Sequence, residues 1–433
     1  MLAVLRTSKS AAHLLVASAL MVCLALAPVG ALGDKKKDKN KPADAPAPAA
    51  PAKPTWNLEN LDYSKIIFPN PPAPTRLKYL TYFSSQPLEK IEVKSEEPKK
   101  KSSWMERMAG GEATGSTKQV KHKTVFVLDN PYGMVVDKAG HLYVADGKVG
   151  AVFIFNTETK ECDLIKSGNG VRFGLIVGLA IDDDDTLFVS DVVFHRVLVY
   201  DAQHHFVTSF NEGMAEPSGM ALDIENRQLY VVDTAADQVL VYDADSHKLL
   251  RRIGTGGKAH RLTSPGDFAM PTNAVVDKDG NLYVTDTWNN RVEVFDADGQ
   301  FIRSFGKSGD GPGRFARPKG IAIDSDGHIW VADAVQDTVQ AFTPEGRLLL
   351  RIGRHGNLPG QFSSLTGLAF DKQNRLFTAE IYPGRVQMFR YFTEAEAKVQ
   401  EDKIKAENEE RAKKRAEKSG IAEPAAKEAA PAK

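Results

Sequence analysis

Cysteine is almost missing from this chain of 433 residues, which holds two, Cys23 and Cys162. Cys23 falls in an apolar stretch near the N-terminus. If that stretch is removed, no intramolecular disulfide can form. An exported chain without one must be stabilised by an extensive core. Net charge is also missing: 56 Lys and Arg balance 56 Asp and Glu. Without a basic excess, no nucleic-acid partner is expected. Histidine is scarce, with 10 residues, and a zinc site needs about three converging His or Cys ligands. No Ser or Cys stands in a nucleophile elbow. The glycine-rich run 306–313, GKSGDGPG, lacks the Gly-Lys-Ser/Thr ending of a phosphate loop. These gaps point away from nucleophilic, nucleotide-dependent and disulfide-framed chemistry.

What is present is a repeat. A short apolar run ending in an acid recurs six times, as in TLFVSDVVFHRVLVY (186–200), NLYVTDTWNNRVEVF (281–295) and RLFTAEIYPGRVQMF (375–389). The marker acids are Asp146, Asp191, Asp233, Asp286, Asp333 and Glu380, at intervals of 42 to 53 residues. That period is the signature of a β-propeller or a similar array. Each unit has a lead-in such as PSGMALD or PKGIAID, then a turn such as KDGN, and a later run such as FVTSF or FIRSF. The spacing predicts a four-stranded antiparallel meander per unit.

The lead-in P-x-G-[IV]-A-x-D, the run G-x-[LI]-[YW]-V-A-D and the following [NH]-R-V resemble the NHL-repeat family, of the exported bacterial type. Asp333 and Arg291 stand at its hallmark positions. The resemblance covers roughly 130–390 and implies a six-bladed propeller, an all-β fold. The chain departs from the pattern at Glu380, at Asn273 where Gly is usual, and in the first unit, which lacks the Arg.

The sixth unit has no fourth strand after it. YLTYF (79–83) matches FVTSF and FIRSF, so 76–84 is predicted to be the outer strand of the sixth blade, closing the ring and removing an exposed edge. The rival is TVFVL (124–128). The propeller is expected over 124–392. Residues 1–31 read as a signal peptide cut after Ala31. An uncleaved anchor and lipidation at Cys23 are the alternatives. Residues 32–75 read as a Lys/Pro/Ala-rich linker, which offers a tether to membrane or cell wall. Residues 85–123 read as a charged insertion, 393–419 as a charged helix with a Thr393/Glu396 capping box, and 420–433 as a disordered tail.

The six acids read first as structural. Each accepts turn N–H groups and can pair with an Arg five residues on. That Arg occurs only in alternate units, as Arg196, Arg291 and Arg385. Three such residues in a ring could face an anionic ligand, or each could serve its own acid. The loops after the acids carry Phe194, His195, Trp288, Asn289, Asn290 and Tyr382, and the links between units carry Arg172, Arg261, Arg314, Arg317 and Arg354. Aromatics with Arg and Asn suit a protein-binding surface. The expectation is therefore a monomeric, exported binding or scaffolding module with no metal or other cofactor. It would sit in the periplasm or at the cell surface. The alternative is a metal-dependent lyase or lactonase-like enzyme with its site in the central channel, as in some six-bladed relatives.

Overall fold

The repeated runs become strands because each can be covered on both faces. Within a unit the second and third strands are buried at nearly every residue, as in Leu187–Asp191 and Thr338–Phe342. The outer strands Leu249–Ile253 and Leu348–Ile352 alternate with solvent. Sheets stacked face to face produce this pattern. The computed structural model describes residues 62–85, 126–168, 170–257 and 260–419.

These residues form a six-bladed β-propeller, with five sheets of four strands and one of five. The innermost strands of blades 1 to 6 are Pro131–Val136, Ile176–Ile181, Pro217–Asp223, Pro271–Val276, Pro318–Ile323 and Leu365–Phe370. Blades 1 to 5 then run outward in chain order, and blade 6 does so for its first three strands. The core is six clusters, one between each pair of neighbouring blades. Blades 4 and 5 meet through Tyr283, Val294, Phe305, Phe315 and Phe342. Blades 6 and 1 meet through Phe83, Val386, Phe377, Leu142 and Phe153. No blade can keep its core without both neighbours.

Closure falls to the N-terminal strand Leu77–Phe83. It pairs antiparallel with Arg385–Tyr391, from Leu77 opposite Tyr391 to Phe83 opposite Val386. Its buried Leu77 and Tyr79 join the cluster between blades 5 and 6. The described part of the rival segment, 126–128, lies alongside rather than in its place: Val127 bridges Ser85, and Leu128 N–H donates to Ser84 O at 2.7 Å.

Part of the expected linker is structured, which corrects the sequence reading. A 3-10 turn, Tyr63–Lys65, leads into Ile67–Phe68, a fifth strand on blade 6 opposite Lys78 and Leu77. Tyr63, Ile66 and Phe68 pack on the blade 5–6 core. Pro69, Pro71, Pro72 and Pro74 lie in the turn that joins this strand to Leu77–Phe83. The signal peptide, the rest of the linker, nearly all of the insertion and the C-terminal tail lie outside the described residues.

After blade 6 the chain enters the helix Glu394–Ser419. Its capping box forms, with Thr393 N–H donating to Glu396 Oε2 at 2.8 Å and Glu396 N–H to Thr393 Oγ1 at 3.3 Å. The i,i+4 ion pairs are Glu407–Arg411 and Glu410–Lys414. Glu394 turns back towards blade 5, its carboxylate 3.3 Å from His328 Nε2. Among the described residues no helix is long and apolar enough to cross a membrane.

Candidate functional site

The marker acids end the second strands and are fully buried. Each gathers the link that brings the chain into its blade. Asp146 accepts the N–H groups of Asp129 (2.7 Å) and Asn130 (3.1 Å), and also those of Lys148 and Val149. Asp233 and Asp333 do the same with Ala215 and Glu216, and with Ala316 and Arg317. Asp191, Asp286 and Glu380 take one link N–H each, from Gly174, Ala269 and Ser363. Burial raises the pKa of Asp286 and of Glu380, against hydrogen bonds and an arginine that lower it.

Those last three blades are the ones with arginine. Arg291 donates from Nε to Asp286 at 2.9 Å and spends its other nitrogens on Thr263 O, Ser264 O and Asp267 O. Arg385 binds Glu380 at 3.0 Å and the carbonyls of Asn357, Leu358 and Gln361. Arg196 lies 3.6 Å from Asp191 and donates to Arg172 O at 2.6 Å. Each guanidinium clamps its own incoming link. Of the two roles open to these arginines, the hydrogen bonds of Arg291 and Arg385 match service to their own acids and links.

The alternation has a second half that the sequence reading missed. Four residues after the marker acid stand Gly150, His195, Asp237, Asn290, Asp337 and Gly384, all with positive φ, from 50° to 82°. Gly, Asn and Asp tolerate that left-handed backbone best. In blades 3 and 5 the Asp also reaches forward. Asp237 accepts Met270 N–H at 2.8 Å and faces His260 Nδ1 at 2.6 Å. Asp337 accepts Ser364 N–H at 2.7 Å and faces His355 Nδ1 at 2.6 Å. The links into blades 4 and 6 are thus held from both sides, by an Asp of the preceding blade and an Arg of the following one. The signal was an Asp in the third and fifth units at the place beside the missing Arg. His195 shares this position. Its Nδ1 faces Ala215 O, which caps a link.

The channel is lined by all six innermost strands and encloses about 320 Å³. Its third-position glycines are fixed by space. A Cβ on Gly178 would lie 2.0 Å from Ser218 O, and one on Gly367 2.1 Å from Tyr132 O. Hydroxyls tie neighbouring strands at the same level, Thr366 to Pro131 O at 2.7 Å and Ser190 to Ser218 O at 2.6 Å. Asn273 is the only polar side chain among the lining residues; no His, Cys, Asp or Glu is among them.

On the face shared by the marker-acid loops and the links, Phe194 (38 % exposed), Trp288 (49 %) and Tyr382 (63 %) protrude, joined by Val193 and Val335, which sequence reasoning did not select. Phe194 is flanked by the guanidinium groups of Arg172 and Arg196, 5.9 and 5.0 Å from its ring centre. Trp288 meets His260 edge-on at 5.3 Å. Asn289 is a loop strut rather than a contact group, donating to Leu262 O and Asp286. Asn290 donates to Trp288 O at 3.2 Å. The link residues Arg172, Arg261, Arg314, Arg317 and Arg354 are all exposed.

One trio among the described residues has metal-ligand proximity: Asp324, Asp326 and His328, whose ligand atoms lie within 4.8 Å of one another. It sits in the blade 5 turn on the opposite face, and its lone pairs are engaged. Asp324 accepts Trp330 Nε1–H at 2.8 Å and the N–H groups of Asp326 and His328. Asp326 accepts Tyr391 O–H at 2.7 Å and Glu394 N–H at 2.8 Å. Burial works against a charge on His328, but Asp324, Glu394 and Asp326 outweigh it and raise its pKa.

Residues 270–339 match a family, DUF5128, described as a 6-bladed beta-propeller. Among solved structures, a streptogramin B lyase is similar at 13 % identity and a TM-score of 0.46, over 61 % of this chain and 94 % of that one. The virginiamycin B lyase of Staphylococcus aureus is similar at 13 % and 0.45, over 61 % and 96 %. A protein of unknown function from Bacteroides thetaiotaomicron is similar at 14 % and 0.48, over 61 % and 70 %.

Proposed function

We propose that this propeller is an exported, monomeric binding module of NHL type that holds a partner protein against its loop face and catalyses no reaction. The observation that carries the reading is the cluster of protruding side chains there. Phe194, Trp288, Val335 and Tyr382 come from four different blades and project beside exposed arginines. Isolated exposed apolar residues need no explanation, but several on one face with a basic surround match the aromatic and Arg anchors of interfaces. The polar groups beneath them are spent on the fold. The rival reading, a metal-dependent lyase acting in the channel, needs converging ligands, and the channel-lining residues offer Asn273 alone.

The test replaces Trp288 and Tyr382 together by alanine in the full chain and follows capture of cell-envelope proteins by a photo-crosslinker placed at Val335. Capture by the parent and its loss in the double variant, with an unchanged melting temperature, is the expected result. Capture that survives the double substitution contradicts the reading, as does a stoichiometric metal in the purified protein whose removal leaves capture unchanged and abolishes a lyase activity.

A further inference from the structure

A second cavity, of about 210 Å³, opens at the rim of blade 5 on the face away from the proposed partner. Its roof is the N-terminal arm, through Pro69 and Pro74. Its wall is the blade 5 outer strand, through Leu349 and Leu350, with Trp330 and Ala341 behind. The volume falls below the roughly 300–1,000 Å³ usual for drug-sized ligands, so only a small molecule fits. The lining is apolar apart from one end, where Arg76, His328, Tyr391 and Glu394 meet.

Arg76 is the unusual group. Its guanidinium donates to Tyr391 O–H at 3.0 Å and lies 5.6 Å from the Tyr391 ring centre. No carboxylate among the described residues pairs with it. The nearby acids are committed elsewhere: Asp326 accepts from Tyr391, and Glu394 faces His328 Nε2 at 3.3 Å. Every other arginine clamp described above ends on an acid or a carbonyl. A half-buried guanidinium without a counter-ion, beside an apolar recess, suits a planar anion with an apolar tail, since Arg presents paired donors to a carboxylate.

We propose that this pocket binds a small carboxylic acid carrying a branched or aromatic apolar group, with the carboxylate on Arg76 and the apolar group against Leu349, Leu350 and the arm prolines. A free apolar amino acid shares this carboxylate and apolar chemistry.

The test titrates the full-length protein with 4-methylpentanoate, phenylacetate, their neutral amides and L-leucine, by ligand-observed NMR and calorimetry. The acids should bind at millimolar concentrations or better, and the amides about tenfold more weakly or less, since they lack the charge-assisted pair. Whichever of 4-methylpentanoate and L-leucine binds more tightly identifies the source. Arg76→Gln should abolish binding. Leu349→Asp, at a half-exposed rim position that the fold does not need, should weaken it as well. Equal binding of acid and amide, undiminished binding by a folded Arg76→Gln, or no binding by any of the five compounds would overturn the proposal.

Discussion

Glu293 offers the sharpest test of how the blades are latched. It occupies the third strand of blade 4, opposite Val284, the register held by Gln340 opposite Val331 and by Gln387 opposite Thr378 in blades 5 and 6. In all three the side-chain oxygen accepts a glycine N–H of the incoming link, from Gly266, Gly313 and Gly360. The glutamines also donate from Nε2, to Arg314 O and to Gln361 O, each at 2.8 Å. Glu293 can match that donor only when protonated, and its Oε2 is buried without a partner. Burial raises its pKa from 4.5 to about 7, although Arg291 pulls it down. The folded state therefore holds a proton that the unfolded state releases between pH 4.5 and 7. Stability contributed by the neutral form is present below pH 4.5 and is lost as pH rises through 7. At 1.36 kcal/mol per pKa unit the loss is about 3 kcal/mol. Glu293→Gln supplies the neutral form permanently. It should leave stability near pH 4.5 unchanged and add about 3 kcal/mol at pH 8, or roughly 5 °C in melting temperature for a domain of this size. Denaturant and thermal melts at both pH values measure the difference, and comparison with the parent cancels the same-signed contribution of Glu380, which lies in another blade. A variant that is no more stable than the parent at pH 8, or that is destabilised equally at both, would refute the reasoning.

Three further outcomes follow from the same geometry. Arg291→Ala should cost about 3–5 kcal/mol, the usual result of stripping one partner from a buried ion pair, and calorimetry with sulfate should find no anion site lost with it. Gly367→Ala should destabilise by about 1–3 kcal/mol or more, because the added Cβ meets the backbone of the next blade. Deleting 76–84 should leave the edge of blade 6 bare and produce aggregation, whereas deleting 34–54 should change neither melting temperature nor solubility.

Much of the architecture was legible because it is periodic. Six copies of an acid-ended run define six blades, and YLTYF resembles its internal counterparts closely enough to be placed 300 residues away from its partner strand. The arm at 62–76 was not legible. Pro69, Pro71, Pro72 and Pro74 give it the composition of a spacer, and the short YSKIIF before them is too brief for periodicity to register. The alternating arginines were visible, but their task was not. Asp237 meets His260 across a link whose length varies from blade to blade, so no fixed spacing announces the pair. Asn289 misled for a related reason: a polar loop residue reads the same whether it faces a partner or a carbonyl of its own chain. The exposed aromatics Phe194, Trp288 and Tyr382 were found because nothing in the repeat calls for bulk at those positions.

The central claim is that binding takes place on the loop face while the channel and the marker acids serve the fold. Hydrogen–deuterium exchange on the full chain, with and without its cross-link-identified partner, tests this most directly. Protection confined to 192–196, 287–290, 334–337 and 381–384 is the predicted footprint. Protection centred on the innermost strands, or on the turns at the opposite face, would contradict it.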